Sequence, residues 1–306
     1  FFTFATPTRK EHFQYLAGRL AYAAYSSFFC GRGWAVLAII IRPSAMNQPE
    51  LYFHVGLGKV ASTYLQHRFF PNLKHIYYIP TNRYRKSLDI IGKGKYGRYF
   101  VSREFDQQLE EEVRWFSSRY PQARPIIIFR RHDSWIASQY RRYVKNGGYL
   151  SFREFFDVEE DTGLWKREHV TFYRNLEHLE HYFEGKPLVL FYDELRADPW
   201  AFFDKIAQYA GSGYDRNDVS LAKVHTSYNE KRLKAIRKIA PRLFDPRNAK
   251  PNTRTLWGWL QRRGQMLKSY AILYPAKLIP ASWLPDEPLI PQEELDKVRA
   301  YFEGDW

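Results

Sequence analysis

Two short stretches hold the residues best suited to chemistry. The first is HVGLGKVASTYLQ, residues 54–66. An extended apolar run, Leu51–Val55, leads into it, and a helix-like segment follows. A chain that turns through small residues into a helix start exposes unpaired backbone N–H groups, and these, with the helix dipole, hold an anion. Lys59 adds a point charge, and Ser62 and Thr63 add hydroxyl donors. Gly56, Gly58 and Ala61 let the backbone come close to a ligand. The loop is not a Walker A loop: the residue five before Gly58 is Phe53, not glycine, and Val60 follows Lys59.

The second stretch is IIIFRRHDSWIASQYRRY, residues 126–143. Its apolar run reads as a strand buried on both faces, which delivers Arg130 to its C-terminal end. Ser138 follows eight residues later on a helix. Ligands of parallel sheets bind at strand C-termini, so Arg130 and Ser138 are placed to meet a second phosphate. Taken singly, Arg130 reads as a surface ion pair and Ser138 as a helix-packing residue. Beside the first loop, the two read as a site.

The elements that must position these residues alternate. Strands are expected at Leu51–Val55, Ile76–Ile79, Tyr99–Ser102, Ile126–Phe129 and Leu188–Tyr192. Between them lie helical patterns. Asp106 is expected to cap a helix carrying Leu109, Val113 and Phe116, and Phe172, Leu176, Leu179 and Phe183 share one helix face. Phe202, Ile206 and Ala210 mark another helix, ended by Gly211, and Asn229 is placed to cap a basic one. This alternation predicts an α/β fold: a P-loop-like, three-layer arrangement with a central, mainly parallel sheet flanked by helices. Residues 241–290, rich in Pro and Arg, are expected to form a loosely packed cap with short helices.

Composition bounds the function. The 306 residues, 45% hydrophobic and 18% aromatic, suit a globular protein. The net charge of +14 points to an anionic ligand or surface. Twelve Lys or Arg lie between Lys231 and Lys268 against one acid, Asp245, and the rest from Met46 is near neutral. Such a run reads as a solvated helix face or as a polyanion-binding surface, peripheral membrane contact included. A single cysteine, Cys30, permits no internal disulfide and suits a reducing, cytoplasmic setting. Residues 1–45 read as an extension, with the domain running from 46 to 306. A membrane anchor at 20–41 is the rival reading, interrupted by Arg32 between two glycines.

The two stretches together resemble the PAPS-dependent sulfotransferases, on the side of the bacterial and carbohydrate-modifying branches. Lys59, Ala61, Ser62 and Thr63 match that family's Lys-x-Gly/Ala-Ser/Thr-Thr loop, and Arg130 and Ser138 match its Arg-x-Pro-x-x-x-x-x-Ser segment. His132 stands where the family often has proline, and Trp135 where many members have a second arginine. LVLFYDELRADPWAFFDKIAQYAG, residues 188–211, is similar to a third family segment. The resemblance implies PAPS as donor, PAP as product, no required metal, and an acceptor hydroxyl, carbohydrate among the candidates. It implies that Gly58, Lys59, Val60, Ala61, Ser62, Thr63 and Tyr64 hold the 5′-phosphosulfate, with Lys59 on the bridging oxygen, and that Arg130 and Ser138 hold the 3′-phosphate. Glu104, just past a strand in YFVSREF, is the first choice as base, against a plain helix-start role; His54, His75 and His132 rank behind it. Two other readings stay open. A nucleotide kinase would need the absent Walker loop, and no nucleic-acid signature accompanies the basic run, so no nucleic-acid partner is expected.

Overall fold

The computed structural model describes residues 48–222, 229–244 and 255–306. The expectations for residues 1–45, for the loop before Asn229 and for residues 245–254 lie outside this range. Five parallel strands form one sheet: β1 (Glu50–His54), β2 (Tyr77–Ile79), β3 (Arg98–Ser102), β4 (Arg124–Phe129) and β5 (Leu188–Phe191). Each lies within a few residues of its expected place. Their spatial order is β2-β3-β1-β4-β5. The chain moves out to one side of β1 for β2 and β3, then crosses to the other side for β4. The switch point therefore falls at β1, and the exits of β3, β1 and β4 lie side by side. Sheets of this kind bind ligands at that crevice.

Alternation along β1 shows why helices cover both faces. Phe53 packs one way, against the rings of Tyr84, Phe105, Phe116 and Phe183. Phe116 belongs to helix α1 (Leu109–Ser117). Tyr52 and His54 point the other way, onto Tyr209 and Phe70. The other long helices of the described fold are α2 (His132–Lys145), α3 (Phe172–Tyr182), α4 (Pro199–Tyr209), α5 (Glu230–Ile239), α6 (Leu256–Leu273) and α7 (Gln292–Tyr301). Asn229 caps α5 as expected, its side chain accepting from the Arg232 N–H at 3.2 Å.

Two expectations need correction. Asp106 does not cap α1: the residue before that helix is Gln108, and no side chain caps it. The carboxylate of Asp106 turns instead to the Lys59 loop. Residues 241–290 hold an 18-residue helix, α6, where only short helices were expected.

Candidate functional site

The register of the sheet brings the site together. His54 pairs with Ser102 on one side of β1 and with Ile126 on the other. Pairing continues past the strand ends, as Arg103 N–H donates to His54 O at 3.0 Å and Phe105 N–H to Gly56 O at 3.2 Å. Glu104 is thereby carried alongside the loop that begins at Gly56. From β4, the Arg130 guanidinium reaches across to the same loop and donates to Lys59 O at 3.1 Å.

The loop is held by contacts distant in sequence. The Trp135 indole N–H donates to Gly58 O at 2.7 Å, and Gly58 N–H donates to Asp106 Oδ1 at 3.0 Å. Asp106 also accepts from Gln139 Nε2 at 3.1 Å and from Arg142 Nη2 at 2.6 Å. Trp135, Gln139 and Arg142 follow one face of α2, at spacings of four and three residues. Lys59 and Ala61 both adopt left-handed backbone, with φ of 70° and 66°. Such strain in non-glycine residues collects at functional turns. Among the described residues, the N–H groups of Lys59, Val60 and Ala61 donate to no backbone carbonyl. The chain then enters a helical stretch at Ser62. Consecutive free N–H groups in a turn of this shape form an anion-binding concavity.

The side chains of the loop differ in what they offer. Ser62 is buried and its hydroxyl donates to Leu57 O at 2.8 Å, so it fixes the turn. Thr63 is half-buried and makes no side-chain hydrogen bond among the described residues. Val60 is buried in the core. Tyr64 points away, its hydroxyl donating to Ser220 O at 3.0 Å. Beneath the loop, His54 is fully buried. Its Nδ1 lies 2.9 Å from Ser102 Oγ, while Nε2 has no partner and burial pulls its pKa down to about 3. That makes His54 a neutral packing residue under Gly56.

Charge gathers at the mouth. The Lys59 side chain is open to solvent but hemmed by protein; desolvation, then Arg142 and Lys145, lower its pKa against the pull of Glu104 and Asp106. Glu104 is half-buried and makes no hydrogen bond among the described residues. Desolvation, then the neighbouring Asp106, raise its pKa, opposed by Arg142, Lys59 and Arg103. A lysine that releases its proton more readily beside a carboxylate that holds one more strongly is the pattern of an acid–base site.

The Arg130 side chain is held in place from two sides. Its Nε donates to Ser134 Oγ at 2.9 Å, and its Cζ lies 4.8 Å from the Tyr192 ring centroid. Of the five guanidinium N–H donors, these contacts and the bond to Lys59 O use two. Ser138, one helical turn beyond Ser134, makes no side-chain hydrogen bond among the described residues. The turn behind Arg130 is clamped from the C-terminus. His132 stacks between Phe172 and Phe302 and meets Asp305 at 2.9 Å, and Asp133 pairs with Arg131 and Arg299. His132 is thus a structural residue, turned away from the loop.

Sequence reasoning missed Asp106, Trp135, Gln139 and Arg142. Trp135 was singled out only as a departure from a motif, and Asp106 as a cap. The available signal was the three-and-four spacing of polar or large residues on α2, facing a loop that needs support.

The fold is α/β, with a parallel five-stranded sheet whose central strand leads through a tight turn into a helical stretch, an arrangement of the P-loop-like kind. No protein-family model matches the sequence, and no curated protein does. Among solved structures, the chain is similar to a sulfotransferase from Alicyclobacillus acidocaldarius, at 16% identity over 76% of this chain and 98% of that one, with a TM-score of 0.42. It is also similar to mouse sulfotransferase SULT7A1 complexed with PAP, at 14% identity over 55% of this chain and 60% of that one, with a TM-score of 0.35.

Proposed function

We propose that this protein is a sulfotransferase that moves a sulfuryl group from PAPS to an acceptor hydroxyl, a carbohydrate hydroxyl being the favoured class. One observation carries the reading: the Lys59 loop, Glu104 and Arg130 meet at the adjoining exits of β1, β3 and β4, with Arg130 bonded to the backbone of Lys59 itself.

Two anion-binding elements joined in this way suit a ligand with two phosphates held apart. The free N–H groups of the loop and the Thr63 hydroxyl bind the 5′-phosphate, and the remaining donors of Arg130, with Ser138, bind the 3′-phosphate. When the S–O bond to the 5′-phosphate breaks, charge develops on the bridging oxygen. Lys59, with its lowered pKa, neutralises that oxygen. The acceptor oxygen forms the new S–O bond and passes its proton to Glu104, whose pKa, raised by desolvation and by Asp106, strengthens it as a base. PAP and the sulfated acceptor leave.

Calorimetry with PAP and AMP tests the reading. PAP should bind far more tightly, and Arg130→Ala should remove most of the difference, because a charged hydrogen bond is worth about 1.5–3 kcal/mol. Equal affinity of the unaltered protein for the two nucleotides would refute it.

A further inference from the structure

Helix α6 packs Tyr270, Ile272 and Leu273 of its last turn against the core, but the large apolar residues of the rest of the helix face solvent. Gly258 and Ser269 are buried together with Leu273, whereas Leu256 is 76% exposed, Trp257 70% and Leu267 69%. At 100° per residue, Leu256, Leu260, Leu267 and Tyr274, just past the helix end, fall within about 40° of one another. They form a stripe over the full length of an 18-residue helix. Arg263 lies within the stripe, its guanidinium 4.9 Å from the Trp259 ring centroid. Arg262 and Lys268 lie about 120° to either side. The helix carries no acidic residue.

We propose that α6 seats this protein on an anionic lipid surface. A stripe of Leu and Tyr with Trp257 and Trp259 beside it, and with Lys and Arg along it, is the form of a helix that lies in the plane of a membrane interface. No helix among the described residues is long and apolar enough to cross a membrane, so the contact is peripheral. Charge decides between occupants. A second copy would set three cations against three. Residues 1–45 of the chain carry five Lys or Arg and one Glu, so they too are cationic. A bilayer with anionic headgroups supplies both the apolar phase and the opposite charge. The proposal is independent of the sulfuryl-transfer reading, since it concerns a face and not the reacting groups.

Vesicle co-sedimentation of the full chain tests it. Vesicles of equal parts phosphatidylcholine and phosphatidylglycerol should retain the protein at least about tenfold better than phosphatidylcholine alone, and added salt should weaken the binding. Leu260→Glu with Leu267→Glu should abolish retention while leaving the melting temperature and PAP affinity unchanged, because both side chains face solvent. Retention unaffected by that double substitution would overturn the proposal. So would equal retention on the two vesicle types. A dimer in solution that the double substitution dissolves would also overturn it and assign the face to a second copy.

Discussion

Gly56 offers the sharpest test of how the loop is held. A Cβ on Gly56 would lie 2.4 Å from His54 Nε2 and 3.0 Å from Cε1, where ordinary contact begins at 3.4 Å. Gly56 does not use left-handed backbone, so the obstacle in Gly56→Ala is steric alone. The His54 ring cannot swing aside, since it is fully buried, held at Ser102 and packed on Phe70. The loop must then rise by about 1 Å, and overpacking of this kind costs about 1–3 kcal/mol. A displacement of that size in a positioned site lowers turnover by up to about 10²-fold. His54→Ala alone leaves a cavity and costs about 2–4 kcal/mol. In the double variant the new methyl enters that cavity. The combined cost should therefore fall short of the sum by about 1–3 kcal/mol, a coupling of the size neighbours show. Denaturant unfolding of the four proteins measures the cycle, and PAP titration reports whether the loop regains its place. Additivity within about 0.5 kcal/mol would refute the claim that His54 sets the height of the loop.

Three further outcomes follow from the site. Glu104→Gln should cut turnover by about 10²–10⁴-fold and leave PAP affinity nearly intact. Because the folded pKa of Glu104 is raised from 4.5, the native state loses stability as pH rises from that value through the folded one; the Gln variant should therefore be the more stable protein above this window, by thermal melting at several pH values. Ala61→Gly should stabilise the fold by about 0.5–1 kcal/mol in denaturant unfolding, since relief of left-handed strain exceeds the added entropy cost of glycine; unchanged stability would show that the turn is unstrained. His54 is held neutral down to about pH 3 against an ordinary value of 6.5, so the native state loses stability as pH falls between them. This contributes about 1.4 kcal/mol per pH unit, and His54→Ala should flatten the acid limb of the stability curve by that amount.

The sequence by itself determined the elements and the polar groups that stand at their ends. Strands announce themselves locally, and the apolar run Ile126–Phe129 could hardly be anything but a strand buried on both faces. The Lys59 turn was legible because small residues, a cation and hydroxyls stand together within it, and Arg130 because it ends a strand. What supports these residues was decided only by tertiary structure. Asp106 and Arg142 are 36 positions apart, and Gly58 and Trp135 77 apart. An aspartate ahead of a helix has the same local signature whether it caps that helix or crosses to another loop. The choice was made by strand order, which sets the exit of β3 beside that of β1 and gives the carboxylate of Asp106 a buried N–H and an arginine to bind. Likewise Ser62 looked like a ligand donor in the sequence, and only the closed turn shows its hydroxyl spent on Leu57. Local pattern fixes which groups a chain carries; the energy of leaving buried donors and acceptors unpaired decides where they turn.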